Sequence, residues 1–107
     1  MNRFLSLLGF AQRSGKLVSG EQGVESAVRR GGVHCLIIAE DSSNNTKRKF
    51  VAMGKTREIT TYTFGQMDRL GQAIGKPRRA IIGVMDANFS QIISKEIADQ
   101  KTLGEKN

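Results

Sequence analysis

The residue types that carry most covalent and metal chemistry are scarce here: the 107 residues include one His, one Cys and one Tyr. His34 opens an apolar run and has no partner near it in sequence. Cys35 lies inside that run, Val33 to Ala39, where a small thiol reads as a core residue. A zinc site needs three or four ligands of the Cys and His type, which this chain does not supply. Glu40-Asp41 stands where catalytic carboxylates can stand, at a strand end. Two adjacent acids before Ser42-Ser43-Asn44-Asn45 read more readily as groups that cap a helix and fix a loop. The glycines of Gly20-Glu21-Gln22-Gly23 and of Gly71 to Gly75 fit neither a P-loop nor a dinucleotide fingerprint. No catalytic residue, metal or cofactor is expected.

The chemistry that remains is recognition. Lys16 to Gln22 leads into a helix start, where free backbone N–H groups and a partial positive charge attract phosphates. An amide such as Gln22 can hydrogen-bond a base edge there. A second segment, Lys76-Pro77-Arg78-Arg79, places three cations in four residues between a helix and a strand. Taken alone it fits a phosphate contact and a solvated turn equally.

The composition points the same way. It is that of an ordinary globular protein, 38% hydrophobic and 25% charged, but with a formal charge of +7. The excess is uneven: the first 85 residues carry fourteen basic and six acidic side chains. A compact domain tolerates such self-repulsion most readily with a polyanionic partner. One cysteine excludes an internal disulfide framework and suits a reducing, cytoplasmic compartment. The apolar start, Phe4 to Phe10, runs directly into Gln12 and Arg13 and lacks a cleavage site, so it reads as an amphipathic helix. No apolar stretch approaches the roughly 20 residues that span a bilayer.

The elements that must hold these segments alternate. Phe4, Leu7, Leu8 and Ala11 share one helical face, ended by Ser14-Gly15. Lys16-Leu17-Val18 is a short extended piece, and Ser19 is expected to cap the next helix, which buries Val24, Ala27 and Val28 and stops at Arg29-Arg30-Gly31-Gly32. His34 to Glu40 reads as a central strand covered on both faces. Asn44 or Asn45 is expected to cap a third helix carrying Lys47, Arg48, Lys49, Lys55 and Arg57. Its run of Lys47 to Lys49 fits either an RNA contact or a solvated helix face, the commoner fate of such a run. Ile59 to Phe64 is a second main strand, Gln66 to Ile74 a helix ended by Gly75, and Ala80 to Met85 a third buried strand. A last helix beginning at Asn88 buries Phe89, Ile92, Ile93 and Ile97, and the polar tail after Gln100 frays. This pattern predicts a single-domain three-layer α/β/α sandwich over residues 1–100, with a central mixed sheet of about four strands and a polar tail over 101–107.

The order Gly15-Lys16-Leu17-Val18-Ser19-Gly20, a helix, Leu36-Ile37-Ile38-Ala39-Glu40-Asp41, then Leu70-Gly71-Gln72-Ala73-Ile74-Gly75-Lys76 and the strand Ala80 to Val84 resembles the ribosomal L7Ae/L30e family. The likeness covers roughly residues 2 to 98 and is nearest to the short bacterial members described as kink-turn-binding ribosomal proteins. It implies the same three-layer fold and binding to kink-turns, sharply bent RNA duplexes with a bulge beside tandem G·A pairs. In that family the helix after the glycine presents Gly-x-Asn-Glu-x-x-Lys to the guanines, and a later loop covers the flipped bulge nucleotide. Aligned through Gly20, the Asn position is Gln22, the Glu position Gly23 and the Lys position Ser26, while the covering loop is Gly75 to Arg79. Gln22 keeps the amide on a longer arm; Gly23 brings no carboxylate and Ser26 no cation. Glu21 would partly replace the carboxylate if the helix began one residue out of register.

The expected site therefore comprises Gly20, Glu21, Gln22 and Ser26 on one helix and Lys76, Arg78 and Arg79 in the basic loop. Arg13 and Lys16 would hold flanking phosphates. The leading expectation is a monomeric, cytoplasmic, non-catalytic RNA-binding protein, ribosome-associated, with kink-turn-like RNA as partner, ribosomal proteins as neighbours and no membrane. The alternative is a protein-interaction module of the same fold whose RNA-reading residues are lost. An accessory domain of an RNA-modifying enzyme is a third reading, weakened by the lack of a catalytic half.

Overall fold

The computed structural model describes the backbone of residues 2–106 and the side chains of residues 2–102. Nine elements alternate along the described chain: α1 (Arg3–Arg13), β1 (Leu17–Ser19), α2 (Glu21–Arg29), β2 (Cys35–Ile38), α3 (Asn44–Thr56), β3 (Thr60–Thr63), α4 (Met67–Ala73), β4 (Ile81–Val84) and α5 (Ala87–Lys106). The strands form one mixed sheet in the order β1-β4-β2-β3. β4 runs antiparallel to both β1 and β2, and β3 runs parallel to β2.

The two middle strands are apolar throughout because both sheet faces are covered. Successive side chains of a strand point to opposite faces. In β2, Cys35 and Ile37 face a layer built by Phe4 and Leu8 of α1, Leu70 of α4, and Ile93 and Ile97 of α5. Leu36 and Ile38 face the other layer, where Val24, Ala27 and Val28 of α2 meet Phe50 of α3. Each such fully buried Leu, Ile or Phe contributes about 1.5–3 kcal/mol relative to an exposed one. The architecture is thus an α/β/α sandwich, as the alternating pattern predicted. β1 and β3 are edge strands and only partly buried.

Helix starts differ from expectation in detail. α3 is capped by Ser43, whose Oγ accepts from the Thr46 N–H at 3.1 Å, and not by Asn44 or Asn45. Ser43 adopts an extended backbone while both asparagines are already helical. α5 begins one residue before Asn88, with Asp86 Oδ2 accepting from the Phe89 N–H at 2.9 Å. Its backbone continues as helix through residues 101–106, where the sequence suggested a fraying tail. Glu40 and Asp41 hold the turn before α4, accepting from the backbone N–H of Gly65 and Met67 at 3.3 and 2.8 Å. Their local reading as loop-fixing groups therefore agrees with the geometry. Among the described residues no helix is long and apolar enough to cross a membrane.

Candidate nucleic-acid interface

The antiparallel pairing of β1 with β4 brings together the two segments singled out in the sequence, Lys16 to Gln22 and Lys76 to Arg79. Ser19 pairs with Ile82 in register, and the Gly20 N–H donates to the Ile81 carbonyl at 3.1 Å. The end of β1 and the start of α2 therefore lie beside the point where the basic loop becomes β4. Arg79 closes the junction: its Nε donates to Ser19 Oγ at 3.0 Å. Ser19 is consequently not the helix cap that its chemistry suggested. Gly20 occupies the cap position with φ 86° and ψ 153°, a conformation essentially restricted to glycine. It has no side chain to bond the first-turn amides of α2, which leaves that positive helix end open.

Gln22 is exposed on this first turn, and Gly23 faces the sheet. A Cβ at Gly23 would stand 3.1 Å from Val18 Cγ2, a tight approach that a side chain there would relieve only by shifting Val18. Glu21 is turned toward α3: its carboxylate accepts from Thr46 Oγ1 at 3.2 Å and lies 4.0 Å from Lys49 Nζ. Lys49 also pairs with Glu25 at 2.9 Å. That hydrogen bond from Lys49 is the main cause holding the Glu25 carboxyl below its ordinary value of 4.5. Ser26 Oγ accepts from Arg30 Nη1 at 2.7 Å, so a guanidinium sits at the exposed surface beside it. Sequence reasoning used Arg30 only as a helix-ending cation; the i,i+4 spacing with Ser26 was the available signal.

The loop after α4 runs back along its own helix. The Gly75 N–H donates to Gln72, Lys76 to Gly71 and Arg79 to Met67, at 3.2, 2.9 and 3.2 Å. Gly71 permits this course, because a Cβ there would come within 2.9 Å of the Lys76 carbonyl and closer still to that of Pro77. Lys76 and Arg78 are exposed. Arg78 pairs with Asp68 at 2.9 Å, with both side chains largely in solvent, where such pairs are weak.

Arg13 and Lys16 lie apart from that junction. The Lys16 carbonyl accepts from the Met85 N–H, at the opposite end of β1 from Gly20. At about 3.3 Å per residue the separation is roughly 13 Å. Arg13 ends α1 with its guanidinium 4.8 Å above the Phe10 ring, near α4. Among the described residues no group of three or more His, Cys, Asp or Glu is placed to hold a metal ion.

Comparison with known proteins places this geometry. The chain is similar to two proteins named RNA-binding protein YlxQ. With that of Enterococcus faecium it shares 31% identity over 81% of this chain and 84% of the relative. With that of Bacillus subtilis (strain 168) the identity is 32%, over 78% and 84%. It also resembles the large ribosomal subunit protein eL30 of Sulfurisphaera tokodaii, with 32% identity over 86% of this chain and 89% of that one. Among solved structures, a protein of unknown function from Bacillus halodurans C superimposes with a TM-score of 0.88 at 38% identity, over 92% of this chain and 99% of the other. The Giardia lamblia 15.5kD RNA binding protein shares the fold, with a TM-score of 0.73 at 14% identity over 92% and 85%. The family profile itself matches residues 2–94. The chain belongs to the ribosomal protein L7Ae/L30e/S12e/Gadd45 family.

Proposed function

We propose that this chain is a non-catalytic RNA-binding protein that docks on structured, kink-turn-like RNA through the N-terminus of α2 and the basic loop after α4. The observation that carries the reading is the Arg79–Ser19 hydrogen bond, which joins the cationic loop to the segment leading into an open helix end. Amides of the first turn and the loop cations attract phosphates, and Gln22 supplies the base-reading amide. Relatives named as RNA-binding and large-subunit proteins support an RNA partner and association with the ribosome in the cytoplasm. The protein acts as a monomer, with ribosomal proteins as neighbours. Gly20, Gln22, Lys76, Arg78 and Arg79 form the contact. Arg13 and Lys16 reach flanking phosphates, and Glu21 and Ser26 shape the surface through Thr46 and Arg30.

The test is a titration against a kink-turn RNA and a plain duplex of equal length across a salt series. With about four phosphates neutralised, log K should fall with log salt at a slope near −3 to −4 on both RNAs. A preference for the kink-turn that survives high salt supports the reading; equal, salt-sensitive binding removes kink-turn specificity from it. One observation favours a protein-interaction module instead. The position of the absent carboxylate is Gly23, and the neighbouring Glu21 turns toward α3, bonding Thr46 and lying 4.0 Å from Lys49. That reading predicts loss of all RNA binding at moderate salt and a protein partner that survives it.

A further inference from the structure

Between α1 and α4 lies an open groove of about 450 Å³. Its floor is apolar because Gly9 lets the helices close up: a Cβ there would stand 3.2 Å from the Ala73 carbonyl. Phe10 forms one wall and is 55% exposed, which a buried-core account does not explain. Arg13, Arg69 and Gln72 form the polar rim, and none of the lining residues is acidic. Arg13 is held over the Phe10 ring, and among the described residues neither guanidinium pairs with a carboxylate.

We infer that this groove takes an unpaired nucleotide from an RNA strand, as a second contact of the RNA bound by α2 and the basic loop, and the inference rests on that reading. The Arg13 guanidinium covers one face of the Phe10 ring, so a base can stack on the outer plane of this Arg–Phe pair or on the free ring face, and the flanking cations suit its phosphates. Gln72 offers an amide to the base edge. The chain path supplies continuity. The basic loop leaves α4 next to Gln72, where the Gly75 N–H donates to that carbonyl, and ends at Arg79 on Ser19. One loop therefore spans from the groove to the start of α2. A peptide helix would find the same apolar floor, but a cationic rim without a carboxylate in a chain of charge +7 favours a polyanion.

Fluorescence anisotropy with three RNAs tests this: a blunt kink-turn RNA, the same RNA with an unpaired tail of about six nucleotides on either strand, and the tail alone. The tail is expected to raise wild-type affinity by about fivefold to a hundredfold, the effect of one stacked base. Phe10→Ala removes this gain and lowers blunt-RNA affinity by no more than Arg13→Ala does; Phe10→Tyr retains the gain, and Arg69→Ala reduces it. Phe10 is on the surface, so these variants fold. The inference is overturned if the tail adds nothing, or if Phe10→Ala weakens blunt and tailed RNA equally. A protein partner retained from nuclease-treated lysate by wild type and lost with Phe10→Ala would also overturn it. Failure of the blunt RNA to bind wild type, with Phe10-dependent binding of the tail alone, would reject the α2 site and keep the groove.

Discussion

Replacing Gly71 by alanine sets two effects of opposite sign against each other. Gly71 lies inside α4, where alanine is favoured over glycine by about 1 kcal/mol on helix propensity. Its missing Cβ, however, faces the backbone carbonyls of Lys76 and Pro77, not a side chain that could rotate away. The loop must recede, and overpacking of this kind costs about 1–3 kcal/mol. Recession also stretches the hydrogen bonds from the Lys76 and Arg79 N–H groups to α4, each worth about 1 kcal/mol. The balance is a net loss of about 2 kcal/mol, or roughly 8 °C in Tm at about 4 °C per kcal/mol for a domain of this size.

Gly75→Ala is the control, since it alters the same loop by another mechanism. No atom lies within 4 Å of a Cβ there, and the cost is only the left-handed conformation, φ 72°, at about 1 kcal/mol. Thermal unfolding followed by circular dichroism should therefore rank wild type above Gly75→Ala and Gly75→Ala above Gly71→Ala. RNA titration should show the larger loss for Gly71→Ala, which displaces Lys76, Arg78 and Arg79 together. A Gly71→Ala protein as stable as wild type or more so would mean that propensity wins. The loop would then not be pinned to α4, and the reasoning would fail.

On the proposed reading, in which Arg78 meets phosphate, Arg78→Ala should weaken binding of all RNAs alike. Gln22→Ala should cost about 1–3 kcal/mol on a preferred RNA only; equal losses on every RNA would remove Gln22 as a base reader. The Glu25 carboxyl is held below 4.5 mainly by its hydrogen bond from Lys49, so its contribution is present above that value and lost as pH falls through the lowered one. The Tm difference between wild type and Glu25→Gln should accordingly shrink on acidification below 4.5, and a difference independent of pH would dismiss the pairing. Burial pushes the Cys35 thiol up to about 11, against weaker hydrogen bonds from Ser94 and Ser90. A thiol reagent should label Cys35 only on unfolding, and stability should decline as pH rises from 9.0 toward 11. Rapid labelling of the native protein would contradict that burial.

Elements whose identity rests on burial were legible from the sequence. Cys35–Ile38 and Ile81–Val84 are apolar at every position except Gly83, and only a strand covered on both faces needs that. Helix starts were less so, because neighbouring residues of similar chemistry compete and the backbone decides among them. Ser43 displaced two asparagines as cap of α3, and Gly20 displaced Ser19 at α2 because the chain turns through positive φ there. Lys16 to Gln22 and Lys76 to Arg79 could each be picked out locally. Their meeting could not, since it depends on a strand pairing between residues some sixty positions apart. The turn of Glu21 toward Thr46, the Arg30–Ser26 bond and the Phe10 groove are likewise products of packing between elements.

The same geometry bounds how selective the proposed interface can be. Cations at Lys76, Arg78, Arg79 and Arg30 bring phosphate affinity, which positions an RNA without reading it. Gln22 is the one base-reading amide on the first turn of α2, and a good bidentate contact discriminates by about 1–3 kcal/mol. The Glu21 carboxylate leans toward α3, where it accepts from Thr46 and lies 4.0 Å from Lys49. Selectivity beyond one contact must then come from shape. Lys16 and Gly20 stand at opposite ends of β1, roughly 13 Å apart, with Arg79 bonded beside Gly20 at Ser19, and the groove beside Phe10 opens at the far end of the loop from Ser19. A strand that meets all three must bend and expose a base, which a regular duplex cannot do without losing stacking. The rigid spacing of these contacts, set by the β1–β4 pairing and by Gly71, is therefore the feature that would separate a folded RNA from a straight one.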